Sequence, residues 1–398
     1  MDCNVLCIAT YHKGERFMRA VAALGAKPYL YTVERLLDQS WPREILSGVF
    51  AQKNDASLAE TVRTVSYLAR THRFDRIVAL DDFDVETAAA LREHLRTPGM
   101  GDTTARYFRD KLAMRVKCKD LGILGPEFVH VLHHDTVRDF MRRVPGPWMN
   151  KPRSQASAAG ITKVTSEEQL WQLVEKQGDE QSSFLLEAYV PGDVYHVDSI
   201  VTERQVVFSE VHRCATPPFD VAHAGGVFAT HGVLRGSSDE TELRALNAKL
   251  LESLGLVRGV AHVEYIKGKA DGRFYMLEAA ARVGGAHITD MVEASTGINL
   301  WEEWAKIELC DVAKKPYAVT PVRQEYGGLV LTLARESHPD TSSFADEEIV
   351  FRSPEEHHLG MVMRSPSHER IVDLVTSYQR RLAQDFSASM PAQAKPSR

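Results

Sequence analysis

Apolar residues in the first hundred positions alternate between short unbroken runs and stretches with helical spacing. Asn4 to Thr10, Pro28 to Val33 and Arg76 to Leu80 read as buried strands. Glu15 to Leu24, closed by Gly25, Ser57 to Arg70 and Val85 to Leu95 read as helices. Strands alternating with helices predict a parallel α/β layer. The sequence Thr97-Pro-Gly-Met-Gly-Asp breaks this pattern and places a boundary near residue 102. Beyond it Tyr107 to Leu121 reads as a helix ended by Gly122, and the solvated face of a helix is the expectation for Arg115, Lys117 and Lys119. Glu127 to Val131, Pro147 to Pro152, Ile161 to Val164 and Phe184 to Val190 follow as strands, with helices at Thr136 to Arg143 and Glu167 to Val174 between them. Tyr195 to Val201 and Gln205 to Cys214 read as paired strands, and Glu240 to Leu254 as an amphipathic helix capped by Ser237 or Ser238. The stretch Thr216 to Gly226, with two prolines and a Gly-Gly, reads as a long loop. From Pro316 onward, strands at Tyr326 to Ala334, Glu348 to Phe351 and Gly360 to Arg364 and a helix at Glu369 to Ala383 predict a small α+β unit. The last thirteen residues, 386–398, lack periodicity and are expected to be disordered.

The most informative stretch is Gly259 to Gly285. Two apolar-rich runs, Val260 to Ile266 and Phe274 to Ala280, flank a Gly-Lys-Ala-Asp-Gly turn, which is a hairpin signal. Glu264 and Glu278 are equidistant from Asp271, so a turn centred there sets them opposite each other on one face. Like charges opposed across strands destabilise a sheet, so a cation is expected between them, and a hard divalent ion such as Mg²⁺ fits two carboxylates. Arg282 follows, and Gly284-Gly285 is expected to open a helix through Ala294 whose first N–H groups suit an anion. A surface hairpin with two solvated acids remains the alternative. A second candidate anion site is the small-residue loop after Lys151, RSQASAAG, flanked by Lys151 and Arg153; it lacks the GKS or GKT of a Walker loop. Asp81-Asp82, at a strand end, reads as a helix entry that could also face a cleft. His231, Arg235, His262 and His287 could each meet a substrate carboxylate, with a structural or surface role as the expectation for each.

Composition narrows the classes. A net charge of -6 with both signs interspersed, and no basic run, argues against nucleic-acid or membrane partners. Five cysteines with no CxxC pair suit reduced thiols in a cytoplasm, and no apolar run reaches the length of a bilayer span. The first strand–helix turn lacks GxGxxG, which argues against a dinucleotide site there.

In order, the chain shows an α/β preface, Asp110-Lys111 then Met114-Arg115 in a helix, Lys151-Pro152 before a small-residue loop, Glu187 then Pro191-Gly192, and Glu264, Glu278 and Arg282 before Gly284-Gly285. This sequence of motifs resembles the ATP-grasp superfamily, and within it the carboxylate-amine ligases related to L-amino-acid (dipeptide) ligases. The resemblance implies mixed α/β and α+β architecture: a Rossmann-like preface over 1–102, ATP-grasp subdomains over 103–185 and 186–315, a small C-terminal α+β unit over 316–385 and the tail 386–398. It implies ATP and Mg²⁺ (or Mn²⁺) as cofactors, with Lys111 and Lys151 on the phosphates and the loop Ser154 to Gly160, including Ser154 and Ser157, closing over them. Glu187, Tyr189 and Val190 would form the adenine hinge, Asp193 would reach the ribose, and Glu264 and Glu278 would hold the metal. Lys151 and Arg282 would serve the chemistry, ligation of a small carboxylate to an amine, both amino acids, through an acyl phosphate, in a cytoplasmic enzyme for which a homodimer is one compatible assembly. Two departures stand out: Ala280 occupies the place where relatives carry an asparagine, which leaves one or two metal ions open, and Asp193 stands in place of a longer glutamate. Carboxylation, ligation to a thiol, and nucleotide binding without turnover are the other readings that the pattern allows.

Overall fold

The computed structural model describes residues 3–156 and 158–386, so Ser157 and the tail beyond Phe386 lie outside the described residues. The N-terminal layer is a parallel sheet of β1 (Asn4–Ile8), β2 (Lys27–Val33), β3 (Gly48–Gln52) and β4 (Arg76–Ala79) in the order β3-β2-β1-β4, with α1 (Glu15–Ala23) and α2 (Leu58–Leu68) between strands and α3 (Val85–Leu95) after β4. β3 is not evident in the linear pattern, because its apolar run is only Val49 to Ala51 and all five of its residues are half-buried. A short α4 (Asp102–Arg106) leads to α5 (Lys111–Asp120). The expected start of that helix at Tyr107 is corrected to Lys111, because the Asp110 carboxylate accepts from the Leu112 and Ala113 N–H groups and caps the helix there.

The second layer is antiparallel: β5 (Phe128–His130), β6 (Trp148–Pro152), β7 (Thr162–Val164) and β8 (Phe184–Ala188), ordered β5-β8-β6-β7 and backed by α6 (His134–Arg143) and α7 (Glu167–Gln177). Val137, Phe140, Leu170 and Val174 from these helices pack against Trp148 and Leu186 of the sheet.

The third layer is an eight-stranded antiparallel sheet. Its strands are β9 (Gly192–Thr202), β10 (Gln205–Cys214), β11 (Phe228–Gly232), β12 (Gly259–Gly268), β13 (Phe274–Ala280), β14 (Tyr326–Leu333), β15 (Ile349–Arg352) and β16 (His358–Ser365), in the order β13-β12-β9-β10-β11-β14-β16-β15. The strands expected in a small unit from residue 316 therefore join this sheet, β14 pairing with β11 through Thr230 and Leu329. The helices of this part are α8 (Pro218–Ala224), α9 (Ser238–Leu254), α10 (Ile288–Thr296), α11 (Leu300–Val312) and α12 (His368–Asp385). The expected loop at 216–226 contains α8, with Pro218 in the first turn, where its missing N–H costs nothing. α11 joins this layer to the preface, Trp304 meeting Phe17 of α1 at 5.2 Å between ring centres. Among the described residues no helix is long and apolar enough to cross a membrane.

Candidate functional site

β12 and β13 form the hairpin read from the sequence, and Glu264 stands directly opposite Glu278, with His262 opposite Ala280. A bulge follows Glu264 and places Tyr265 against Met276. Both glutamates open into a cavity of about 400 Å³ that Lys111, Lys151, Glu187, Tyr189, Val190, His262 and Arg282 also border. The charge that the opposed acids require comes from two side chains. Lys111 Nζ lies 2.9 Å from Glu278 Oε1 and donates to the Gln155 carbonyl at 2.6 Å. His262 Nε2 lies 3.7 Å from Glu264 Oε1. Burial alone would raise the Glu264 pKa, but the neighbouring His262 outweighs it and holds the carboxyl below its ordinary value.

The opposite wall rests on Glu187 of β8, which is 0% exposed. Its carboxylate is shared between Arg115 Nε and Lys151 Nζ, each at 2.6 Å. Arg115 therefore does not lie on a solvated face. It is 1% exposed and also donates to the Leu277 carbonyl at 2.6 Å, tying α5 to β13. Lys119 is exposed, while Lys117 is partly buried with its ammonium 5.6 Å from the centre of the Tyr107 ring. Burial pushes the Glu187 pKa up, and Arg115 and Lys151 together bring it below the ordinary range, so the carboxylate stays charged.

The small-residue loop borders the cavity through Ala156 and Ala158. Ser154 does not border it; its carbonyl accepts from Arg109 Nη2 at 2.6 Å. Arg153, expected to face an anion, is instead paired with Asp110. Asp193 lies outside the lining, paired with Arg213 at 2.8 Å. Tyr189 and Val190 do line it, and the Lys163 ammonium sits 3.7 Å from the centre of the Tyr189 ring. α8 adds Phe219, Val221 and Ala222 to the wall and reaches the far end of the loop through His223 Nε2, 2.8 Å from the Ile161 carbonyl.

Arg282 is bound to the preface. Its Nε and Nη2 lie 2.7 and 2.6 Å from Asp82 Oδ2, and Nη1 donates to the Val283 carbonyl. Asp82 thus pairs with a residue 200 positions away. The helix expected from Gly284-Gly285 begins at Ile288. Ala286 and His287 before it both adopt left-handed backbone, φ 53° and 63°, and His287 is clamped between Asp290 and Glu355 at 2.9 and 3.0 Å. Gly284 is needed at a close approach: a Cβ there would sit 2.7 Å from Ile288 Cγ2 and 2.9 Å from Asp198 Oδ1.

Asp198 belongs to a buried network that the sequence reading passed over. His262 Nδ1 and His196 Nδ1 lie 2.9 and 2.8 Å from its two oxygens, and His196 Nε2 is 3.0 Å from Thr230 Oγ1. Burial would raise the Asp198 pKa, yet His262 and His196 hold it well below its ordinary value. Burial likewise lowers the His262 pKa, and Asp198 and Glu264 override it, pushing it up to about 9. The signal available in the sequence was the parity of Val194, His196, Asp198 and Ile200 on one strand. His231 and Arg235 do not line the cavity: the His231 ring faces His368, and Arg235 pairs with Glu210 at 2.6 Å.

The chain is similar to several known proteins. The ATP-grasp domain family matches residues 144–290. The L-arginine-specific L-amino acid ligase of Bacillus subtilis is 24% identical over 243 residues, covering 59% of this chain and 58% of that enzyme. The chain thus aligns with well under two thirds of that relative's length. The D-alanine–D-alanine ligase of Cupriavidus necator is 26% identical over 223 residues, 54% of this chain and 67% of that enzyme. Among solved structures, the L-amino acid ligase of Bacillus licheniformis superposes with a TM-score of 0.75 at 18% identity, covering 97% of this chain and 98% of that one.

Proposed function

We propose that the chain, which matches the ATP-grasp domain family over residues 144–290 and shares the fold of an L-amino acid ligase, is an ADP-forming ligase joining a carboxylate, an amino acid, to an amine. The observation that carries this reading is the pair Glu264 and Glu278, in register at one end of a cavity whose other wall holds Lys151. Two carboxylate groups with Lys111 and His262 as their present counter-charges suit a hard divalent cation, Mg²⁺ or Mn²⁺, which when bound would offset charge on the ATP phosphates. Lys111 and Lys151 flank the phosphates beneath the loop of Ala156 and Ala158, and Tyr189 and Val190 pack on the base. A carboxylate oxygen attacks the γ-phosphorus and ADP leaves. An amine then attacks the carbonyl carbon of the acyl phosphate, phosphate departs, and the amine gives up a proton. Arg282 and the backbone of Gly285 and Ala286 border the place where these oxygens gather charge. The activity is tested by ADP release over amino-acid pairs, with products identified. Release that needs bicarbonate or coenzyme A instead would assign a carboxylase or thiol ligase, and nucleotide binding with no release on any substrate would assign a binding protein.

Lys151→Ala is expected to raise the KM for ATP and lower kcat, together by roughly tenfold or more, since one charge-assisted contact is lost. Glu187 keeps Arg115 as a partner, so the fold is preserved. Unchanged KM and kcat would remove Lys151 from the site. Arg282→Ala is expected to cut kcat by roughly a hundredfold with little change in ATP affinity, as for loss of one preorganised donor. Because the same substitution strands Asp82, a melting curve and Arg282→Lys accompany it. If Arg282 only ties the preface to the hairpin, the lysine variant restores both stability and kcat. If it acts on the reacting oxygens, stability returns and kcat does not.

A further inference from the structure

The turn that follows β4 carries three buried acids, Asp81, Asp82 and Asp84. Two of them are engaged inside the preface. Asp81 Oδ2 accepts from Lys13 Nζ at 2.5 Å and Asp81 Oδ1 from the Phe83 N–H, while the Asp84 carboxylate accepts from the Thr10 N–H and hydroxyl at 2.9 and 2.8 Å. These contacts pin the turn to the loop after β1 on both sides of Asp82. Asp82 reaches the other way, to the end of the hairpin, where its Oδ2 holds the Nε edge of Arg282. A guanidinium gripped on that edge, with Nη1 also donating to the Val283 carbonyl, keeps an N–H uncommitted on each terminal nitrogen among the described residues. The next residue of the turn touches the other working arm: the Arg109 guanidinium lies 4.9 Å from the centre of the Phe83 ring and donates to the Ser154 carbonyl, where the small-residue loop begins. Stability alone does not account for the pair of Asp82 and Arg282. Asp82 is 4% exposed, its Oδ1 is buried with no hydrogen-bond partner among the described residues, and buried ion pairs can often be replaced by apolar residues without loss. What a fork held by one edge gains is direction.

We infer that Asp82 is a positioning residue for the ligation: from the preface it sets the orientation of the Arg282 guanidinium toward the reacting oxygens, so that this end of the site is complete only with the preface docked on it. The inference deepens the ligase reading and rests on the role given there to Arg282. Arg282 borders the cavity and Asp82 does not, so the carboxylate acts on the chemistry only through the arginine. A displacement of about 1 Å in a group that must meet developing charge can cost about a hundredfold in rate. ATP itself is held, on the same reading, by Lys111, Lys151, Tyr189 and Val190, none of which depends on Asp82, so the effect falls on kcat and spares the affinity for ATP.

Steady-state ADP release by the full-length chain, with isothermal titration of ATP and a melting curve on each variant, provides the test. Asp82→Asn keeps the volume and one acceptor oxygen, and it should lower kcat about tenfold or more while KM and Kd for ATP stay within about twofold. Introduced into Arg282→Ala, the same substitution should cost nothing further in kcat, because the group that Asp82 orients is gone. Asp82→Glu keeps both charges, so it answers even if Asp82→Asn does not fold. It moves the carboxylate outward by a methylene, and kcat should fall severalfold while the melting temperature stays near that of the wild type. Wild-type kcat in Asp82→Asn or in Asp82→Glu, or an equal fold-loss with and without Arg282, overturns the inference and leaves the ligase reading standing. No ADP release by the wild type on any pair of substrates overturns that reading and the inference with it.

Discussion

Glu278→Gln should reduce ADP release by about a thousandfold or more at saturating Mg²⁺, the several kcal/mol that charge neutralisation at the phosphates supplies. The amide keeps the volume and one oxygen of the carboxylate but removes the negative charge that faces Glu264 across the hairpin. It also leaves the Lys111 ammonium, 4% exposed and 2.9 Å away, without its anionic partner, the Gln155 carbonyl alone remaining. A modest loss in melting temperature should accompany the kinetic loss, and adding Mg²⁺ or Mn²⁺ should no longer raise that temperature, since the ion stabilises only a form that binds it. Wild-type ADP release in the variant would remove Glu278 from the chemistry.

The second large effect is on stability. Glu187→Gln strands two cations, Arg115 and Lys151, in a region where Arg115 is 1% exposed. Breaking a buried ion pair by removing one member costs about 3–5 kcal/mol, because the uncompensated charge stays out of water. Urea unfolding should show that loss, and adding Arg115→Met to the same variant should recover a good part of it by removing the stranded guanidinium. The pH dependence has a fixed sign. The Glu187 pKa is lowered in the folded chain, so its contribution is present above the unfolded carboxylate pKa and is lost as pH falls through the folded one. Glu187→Gln should therefore flatten the acid limb of the stability curve. An equal midpoint for wild type and Glu187→Gln in urea at neutral pH would show that the triad contributes nothing.

The opposed glutamates could be read from the sequence because strand parity and one turn decide which residues meet, and both are local. The solvated face expected for Arg115 does not hold although the signal is local. Lys111, Met114, Arg115 and Cys118 form the buried stripe of α5 at helical spacing, so period rather than charge decides which side faces inward. α8 is hidden in the sequence for a different reason, since the two prolines and the Gly-Gly around it carry a loop signal although Pro218 occupies the first turn of the helix. Asp198 could not have been placed from pattern alone, because its partner His262 reaches it through the pairing of β9 with β12, strands separated in sequence by β10, β11 and two helices. The pairing of Arg282 with Asp82 is still more distant, and no spacing rule connects a hairpin end with the mouth of the preface sheet. What was legible is what the chain determines within one hairpin or one helix; what was not is what docking decides.

The eight-stranded sheet runs from residue 192 to residue 365 without an interruption at 316. Shortening the gene at the apparent boundary would therefore not release a tidy catalytic fragment. It would strip β14 from β11, exposing the backbone groups of a five-residue strand and the apolar surface that Leu329, Val362 and Val375 now cover. A raw edge of that kind invites pairing with another copy, so such a fragment should collect in inclusion bodies rather than fold as a minimal unit. For the same reason the C-terminal segment cannot be exchanged between relatives as a cassette. Chimeras meant to transfer substrate preference need junctions that keep β11, β14 and β16 from one parent, which moves the practical crossover point away from residue 316 to the turns flanking α8.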